Sequence, residues 1–360
     1  MPHILFRVNA GASSGLGHLM RCLALAQAMV KNQFTPIFML NDEGANIARS
    51  RQDWVGEVIV VSESQAGTQE IEKIAEYSRC HPVAAIVLDG YDFSSLYRQQ
   101  LAQLGYPVIC FDDMNNSGHL HANLIINGSG SAHQLKYEDN QPHAQLCIGE
   151  AYRVLRQEFC ELTELPFAQR QYLTIMMGGS DPANLTLPLL QCLQNKGFSG
   201  KLKVITGAAY PFLDELNKFI RTSKLDIQHL HDCQQIAQSF LQTRLAISAA
   251  GGSQFELQAT ATPSCLLTVA DNQVGATQVA VKQAWCITED FSVIAKGNEN
   301  SKMDENQKRT DVEDTIKSVL RLWGDDAALL KMHNQGLKSR DTNGAQRIIE
   351  KIQQLCSDEE

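Results

Sequence analysis

The sequence predicts an α/β chain of two doubly wound domains, and three observations carry that expectation. At 360 residues the chain is longer than one hydrophobic core usually supports, since single cores stop growing beyond roughly 250–300 residues. Short runs rich in Val, Ile and Leu alternate with amphipathic stretches of helical period, which is the pattern of a parallel sheet with crossover helices. That alternation breaks once, in the polar and Pro-containing segment ELTELPFAQRQ, and then starts again.

In the first half, strands are expected at 3–9, 36–40, 57–61, 84–88, 107–111, 122–126 and 145–148, with helices over 18–31, 68–80 and 93–104. The break sets a linker at 157–171, a first domain at 1–156 and a second at 172–340. The second series opens with the strand YLTIMM. It continues with strands at 201–206, 225–230, 244–248, 264–269 and 285–288 and with helices near 183–196, 211–222 and 253–261. Residues 295–312 (AKGNENSKMDENQKRTDV) read as an exposed loop. Helical period then resumes in DTIKSVLRLW and GAQRIIEKIQQLC, the latter forming a C-terminal helix within 341–360.

Composition excludes several functions. Net charge is −9, and the 31 Lys and Arg never cluster in a run of five or six, so no stripe for nucleic acid is visible. The ten cysteines (Cys22, Cys80, Cys110, Cys147, Cys160, Cys192, Cys233, Cys265, Cys286, Cys356) include no C-x-x-C pair, and most lie in apolar segments. They read as reduced, buried thiols, with no metal site and no disulfides. No stretch of 18 apolar residues could span a membrane, and the opening run HILFRVN lacks the apolar core of a signal peptide. A cytoplasmic protein is therefore expected. The sequence does not set the oligomeric state, with a monomer the simplest reading.

Three glycine-rich turns follow strands: SSGLGHLMRCLALA (13–26), MMGGSDPANLT (176–186) and SAAGGSQFEL (248–257). Such turns present backbone N–H groups beside the positive end of a helix, and together they favour a diphosphate ligand. Gly15-Leu16-Gly17 lacks the third glycine of a dinucleotide fingerprint, and no Gly-Lys-Ser/Thr occurs. Hydride transfer and nucleoside triphosphate hydrolysis are thus disfavoured.

His18 stands at the start of the first expected helix, where the macrodipole should keep its imidazole neutral and fit to act as a general base. A role in capping or packing that helix is the alternative. Glu256 follows Ser253 by three residues, which suits either a capping box or a carboxylate facing ribose hydroxyls. Asp271-Asn272-Gln273 and Tyr91-Asp92 fall after strands, at the edge where open α/β sheets bind ligands; plain surface turns are an equal reading. His119 and His121 have no ligand partners at metal spacing and read as solvent-facing.

Taken together, GLGHLMRCLALA, Leu155-Arg156-Gln157-Glu158-Phe159, GGSDPANLT, and AAGGSQFE followed by ADNQ resemble the UDP-2,4-diacetamido-2,4,6-trideoxy-β-L-altropyranose hydrolases of pseudaminic acid biosynthesis. That family is similar to the GT-B glycosyltransferases, so the resemblance implies two Rossmann-like domains facing across a cleft. It implies that His18 activates water for inverting attack at the anomeric carbon of a UDP-sugar, without metal or cofactor. It puts Gly17, Arg21 and Tyr91 in the sugar pocket with Asn272 and Gln273. Gly179 and Ser180 would face the diphosphate, while Gly251, Gly252, Ser253 and Glu256 would hold phosphate and ribose. Asn9 stands where an aspartate is common, Ser13-Ser14 replaces an acidic and apolar pair, and Gly90 replaces a polar residue. These departures bear on the sugar more than on the nucleotide. Transfer to an acceptor other than water, or binding without turnover, remain the alternatives.

Overall fold

The computed structural model describes residues 1–9, 16–61, 67–292 and 305–357. Ser13, Ser14 and most of the expected 295–312 loop lie outside the described residues. The chain forms two compact units, Met1–Cys160 with Asp341–Glu360, and Glu161–Arg340.

The first unit holds β1 (His3–Val8), β2 (Thr35–Leu40), β3 (Glu57–Val60), β4 (Val83–Asp89), β5 (Val108–Phe111), β6 (Leu124–Asn127) and β7 (Gln145–Ile148). They form one parallel sheet in the order β3-β2-β1-β4-β5-β6-β7. Its helices include α1 (Gly17–Lys31), α2 (Asp42–Ser50), α3 (Thr68–Cys80), α4 (Ser95–Ala102) and the short α5 (Gln157–Cys160), which occupies the start of the expected linker. Period-two alternation divides β1 between two cores. Ile4, Phe6 and Val8 pack with Leu19, Cys22, Leu25 and Met29 of α1, while Leu5 packs on the other face with Ile74 of α3 and Leu101 of α4. Because both faces are covered, β5 (VICF) and β6 (LIIN) are buried along their whole length, and all but the closing Asn127 of β6 are apolar.

The second unit holds β8 (Tyr172–Met176), β9 (Lys201–Thr206), β10 (Asp226–His231), β11 (Thr243–Ala249), β12 (Ser264–Thr268) and β13 (Cys286–Asp290). These are parallel in the order β10-β9-β8-β11-β12-β13, the doubly wound arrangement of dinucleotide-binding folds. The polar strands DIQHLH and CITED lie at its two edges, where one flank meets solvent. Around the sheet run α6 (Thr186–Asn195), α7 (Leu213–Thr222), α8 (Ile236–Leu241), α9 (Ser253–Ala259), α10 (Asp271–Lys282), α11 (Glu305–Trp323) and α12 (Asp326–Ser339).

The chain ends its described course in α13 (Gly344–Ser357), which returns to the first unit and buries Ala345, Ile348, Ile349 and Ile352 in the core beneath α1. Gly344 makes that return possible. A Cβ there would stand 2.0 Å from the Arg153 carbonyl oxygen and 2.6 Å from its nitrogen, both backbone atoms. Gly344→Ala should therefore cost about 1–3 kcal/mol or more through forced displacement of α13. Denaturant midpoints would show it, and an unchanged midpoint would mean that the helix does not dock this closely.

Every expected strand forms, but the helical content exceeds the expectation. α2 begins at a capping residue, Asn41, whose side chain accepts from the Gly44 amide at 2.9 Å, and carries Asp42 and Glu43 in its first turn. α12 begins similarly, with Asp325 accepting from the Ala328 amide at 2.9 Å. Residues 305–312 belong to α11 and not to a loop, and Asp271-Asn272-Gln273 form the first turn of α10. All ten cysteines are free thiols, but Cys80 and Cys160 are exposed, against the expectation of burial.

Candidate active site

In the first unit the strand order reverses between β1 and β4, which is where open α/β sheets bind ligands. β1 is followed by the segment leading into α1, and β4 ends on Asp89. His18, one residue into α1, is 6% exposed, and Asp89 is fully buried. Nδ1 of His18 lies 2.7 Å from Asp89 Oδ1. Arg21, one turn along the same helix, donates from Nε to Asp89 Oδ2 and from Nη2 to Oδ1, both at 2.6 Å, and from Nη1 to Asp113 Oδ1 at 2.7 Å. The Cys22 thiol donates to Asp89 Oδ2 at 3.4 Å. Tyr91 stands edge-on to the His18 ring, with centroids 4.7 Å apart, and its hydroxyl donates to Asp113 Oδ2 at 2.8 Å.

This geometry fixes the imidazole. An ionised carboxylate only accepts, so the His18 nitrogen that faces Asp89 carries a proton, and Nε2 is the nitrogen left to accept one in the neutral ring. Arg21 Nη2 also lies 3.2 Å from Nδ1, but the shorter contact is to the carboxylate, and a guanidinium has no acceptor to offer. Asp89 stays ionised. Burial pushes its carboxyl up, yet the Arg21 guanidinium and His18 outweigh burial and hold it below the usual carboxylate range. Asp113 is likewise raised by burial and brought below its ordinary value by Arg21. Burial, reinforced by the Asp89 charge, drives the Cys22 thiol well above its ordinary value, so it remains a proton donor. His18 thus does not cap α1, whose N-cap position is Leu16 without a side-chain cap.

Two of the departures noted in the sequence prove to be one feature. A Cβ at Gly90, where φ is +150°, would lie 2.9 Å from the Asn9 Cβ. The Asn9 amide donates to Asp92 Oδ2 at 3.1 Å and its oxygen accepts from Arg7 Nη1 at 3.2 Å. Gly90 therefore lets Asn9 lie across the turn that presents Tyr91.

In the second unit the strand order reverses between β8 and β11, and the turns after both strands carry the expected glycines. After β8, Gly178 takes φ +78° and Gly179 packs against the turn after β9, where a Cβ at Gly207 would lie 2.5 Å from the Gly179 carbonyl oxygen. The helix that this turn leads into, α6, already has an anion at its start. Asp181, 2% exposed, accepts from the Leu185 amide at 2.9 Å and from the Thr186 amide at 2.8 Å. A ligand phosphate has no access to those two amides, so the expectation that helix starts hold it needs correcting for α6. Gly179 and Ser180 stand five or more residues before that helix.

After β11, Gly252 is the N-cap of α9 and Ser253 its first residue, with no side-chain cap. The capping box between Ser253 and Glu256 does not form, which leaves the first turn of α9 without that internal oxygen. Gln273, in the first turn of α10, accepts from the Val269 amide at 2.8 Å, and its Nε2 lies 3.8 Å from where a Cβ on Gly251 would be. Its side chain thus lies beside both the turn after β12, to which it is bonded, and Gly251 in the turn after β11. Asn272 beside it is exposed.

The chain's architecture matches solved structures over nearly its whole length. Acinetobacter baumannii MurG matches over 98% of this chain and 100% of its own, with a TM-score of 0.61 at 13% identity. Phytolacca americana UGT2, solved with UDP-2fluoro-glucose and pterostilbene, matches over 99% and 100% with a TM-score of 0.65 at 10% identity. S. aureus MnaA, solved with UDP, matches over 97% and 95% with a TM-score of 0.61 at 10% identity. The fold is that of the GT-B glycosyltransferases. No protein-family model matches the chain. An uncharacterized protein of Methanocaldococcus jannaschii is 24% identical over 257 residues, which is 69% of this chain but only 52% of that protein, so the match spans about half of that relative. The UDP-2,4-diacetamido-2,4,6-trideoxy-beta-L-altropyranose hydrolase of Campylobacter jejuni is 24% identical over 250 residues, 68% of this chain and 84% of that enzyme.

Within this GT-B fold, Gly17, His18, Arg21 and Tyr91 come together in the first unit, and Gly251, Gly252, Ser253 and Gln273 in the second. Sequence reasoning missed Asp89 and Asp113. Their one signal was position, an acidic residue closing each of the apolar runs IVLD and VICFDD.

Proposed function

We propose that this chain is a nucleotide-sugar enzyme that hydrolyses the anomeric C–O bond of a UDP-linked 2,4-diacetamido-2,4,6-trideoxyhexose. The observation that carries the reading is the His18–Asp89 pair, with its basic Nε2 turned away from the buried carboxylate, at the switch point of a GT-B fold. The likeness to the Campylobacter enzyme supports the substrate class and water as acceptor.

In this mechanism a water oxygen attacks the anomeric carbon from the face opposite UDP, and its proton passes to His18 Nε2 as the new C–O bond forms. The bond from that carbon to the diphosphate oxygen breaks, its electron pair leaves with UDP, and the sugar inverts. Asp89 holds the ring in the right tautomer and stabilises the imidazolium that results, the same division of labour as in a Ser-His-Asp triad. Gly179, Ser180, Gly251, Gly252 and Ser253 serve the leaving diphosphate, Glu256 the ribose, and Tyr91, Asn272 and Gln273 the sugar. Backbone donors arranged in advance would supply most of the leaving-group stabilisation.

The test is incubation with UDP-2,4-diacetamido-trideoxyhexoses in ¹⁸O-labelled water, followed by NMR and mass spectrometry. Label in the free sugar with none in UDP is the expected result. Turnover only when a sugar or protein acceptor is added would make the chain a transferase. Calorimetric UDP binding without any turnover would make it a binding protein.

A further inference from the structure

We propose that Asp113 is a positioning residue for the base at His18, setting through Arg21 the charge against which the imidazole takes up its proton. The inference rests on the reading of His18 as that base. Among the described residues, the titratable and charged groups facing His18 are Asp89 from β4, Arg21 and Cys22 from α1, and Tyr91 from the turn after β4, with Asp113 behind Arg21 at the end of β5.

Arg21 alone would cancel Asp89, since its fork meets both carboxylate oxygens at 2.6 Å. Its remaining nitrogen is instead taken by Asp113 at 2.7 Å, while the guanidinium lies 4.8 Å from the Phe111 ring centroid. Two carboxylates against one guanidinium leave a single negative charge beside the imidazole. Cys22 and Tyr91 stay neutral donors to those carboxylates and do not change the count. When His18 takes a proton, the group passes from one negative charge to none. Without the Asp113 charge it would pass from none to one positive charge, in surroundings where Asp89 and His18 are almost wholly shielded from water. Charge formation in such surroundings is opposed.

Asp113→Asn keeps the shape and removes the charge. His18 should then bind its proton about tenfold more weakly, a moderate effect because 24% of the Asp113 side chain still meets solvent. The measurement is an NMR titration of histidine-labelled protein, with the His18 signal assigned by its loss in His18→Gln. Asp113→Ser, which also removes the charge, should shift the titration the same way, and Asp113→Glu should restore it. Tyr91→Phe, which leaves the charge in place, should hold it within twofold. A merely structural Asp113 would leave the His18 titration unmoved in both Asp113→Asn and Asp113→Ser, and that result overturns the proposal. Because no substrate is needed, a shifted titration in a chain that never turns over a UDP-sugar keeps this inference and removes the proposed function. An unshifted titration in a chain whose turnover depends on His18 does the reverse.

Discussion

A His18→Asn chain should lose about 10²- to 10⁴-fold in kcat while its affinity for UDP stays within a fewfold of the original, because a general base contributes to the transition state and little to nucleotide binding. Asparagine can still donate to Asp89, so the buried carboxylate keeps a partner and the fold should survive. Steady-state kinetics with calorimetric UDP titration separates the two quantities. Equal losses in both would reassign His18 to binding or to structure. The absence of any loss in kcat would remove it from the chemistry.

Asp89→Asn should have two large effects at once. Asp89 accepts from His18, twice from Arg21 and from Cys22 while fully buried. An amide at the same place lacks the charge and must turn an NH₂ toward either His18 or Arg21. Removing one partner of such a buried group typically costs about 3–5 kcal/mol of stability. The loss of tautomer control should lower kcat by at least about 10²-fold, since a ring with its proton on Nε2 cannot accept one there. The acid side of the stability curve supplies an independent check. The carboxyl of folded Asp89 is held below its usual range, so its contribution is complete above about pH 4, where an unfolded aspartate is ionised, and is lost as pH falls through the native value. Asp89→Asn should therefore flatten the fall in stability below about pH 4 as well as lower the plateau above it. A variant with the original plateau would show that the bonds to Asp89 contribute no net stability.

How much of this was legible in the sequence depended on range. Strands such as VICF and the LII of β6 announce themselves because burial on both faces favours apolar residues, a property of each segment alone. The glycine turns were legible for the same reason. α10 was not, since its opening Asp271-Asn272-Gln273 has the composition of a polar loop until Ala276, Thr277 and Ala280 are seen to pack. α2, interrupted by Gly44, gave only its cap as a sign. The active-site partners were hidden by distance: His18 meets Asp89 across 71 positions and Arg21 meets Asp113 across 92. Local periodicity carries nothing about such pairs; only the sheet order brings them together. The capping box failed for the opposite reason. Its local pattern is present, but the turn after β11 starts the helix one residue earlier than the pattern requires.

The return of α13 to the first unit has a consequence for the order in which the protein can be made. Domains generally complete as units while the chain emerges from the ribosome, the earlier one first. Here the earlier unit cannot finish, because Ile348, Ile349 and Ile352 of its core are synthesised after the whole of Glu161–Arg340. The later-made unit has all its strands and their covering helices available before residue 341 appears. Nascent Met1–Cys160 must wait with the floor beneath α1 open, apolar side chains of β1 and α1 exposed, until the last helix arrives to close it.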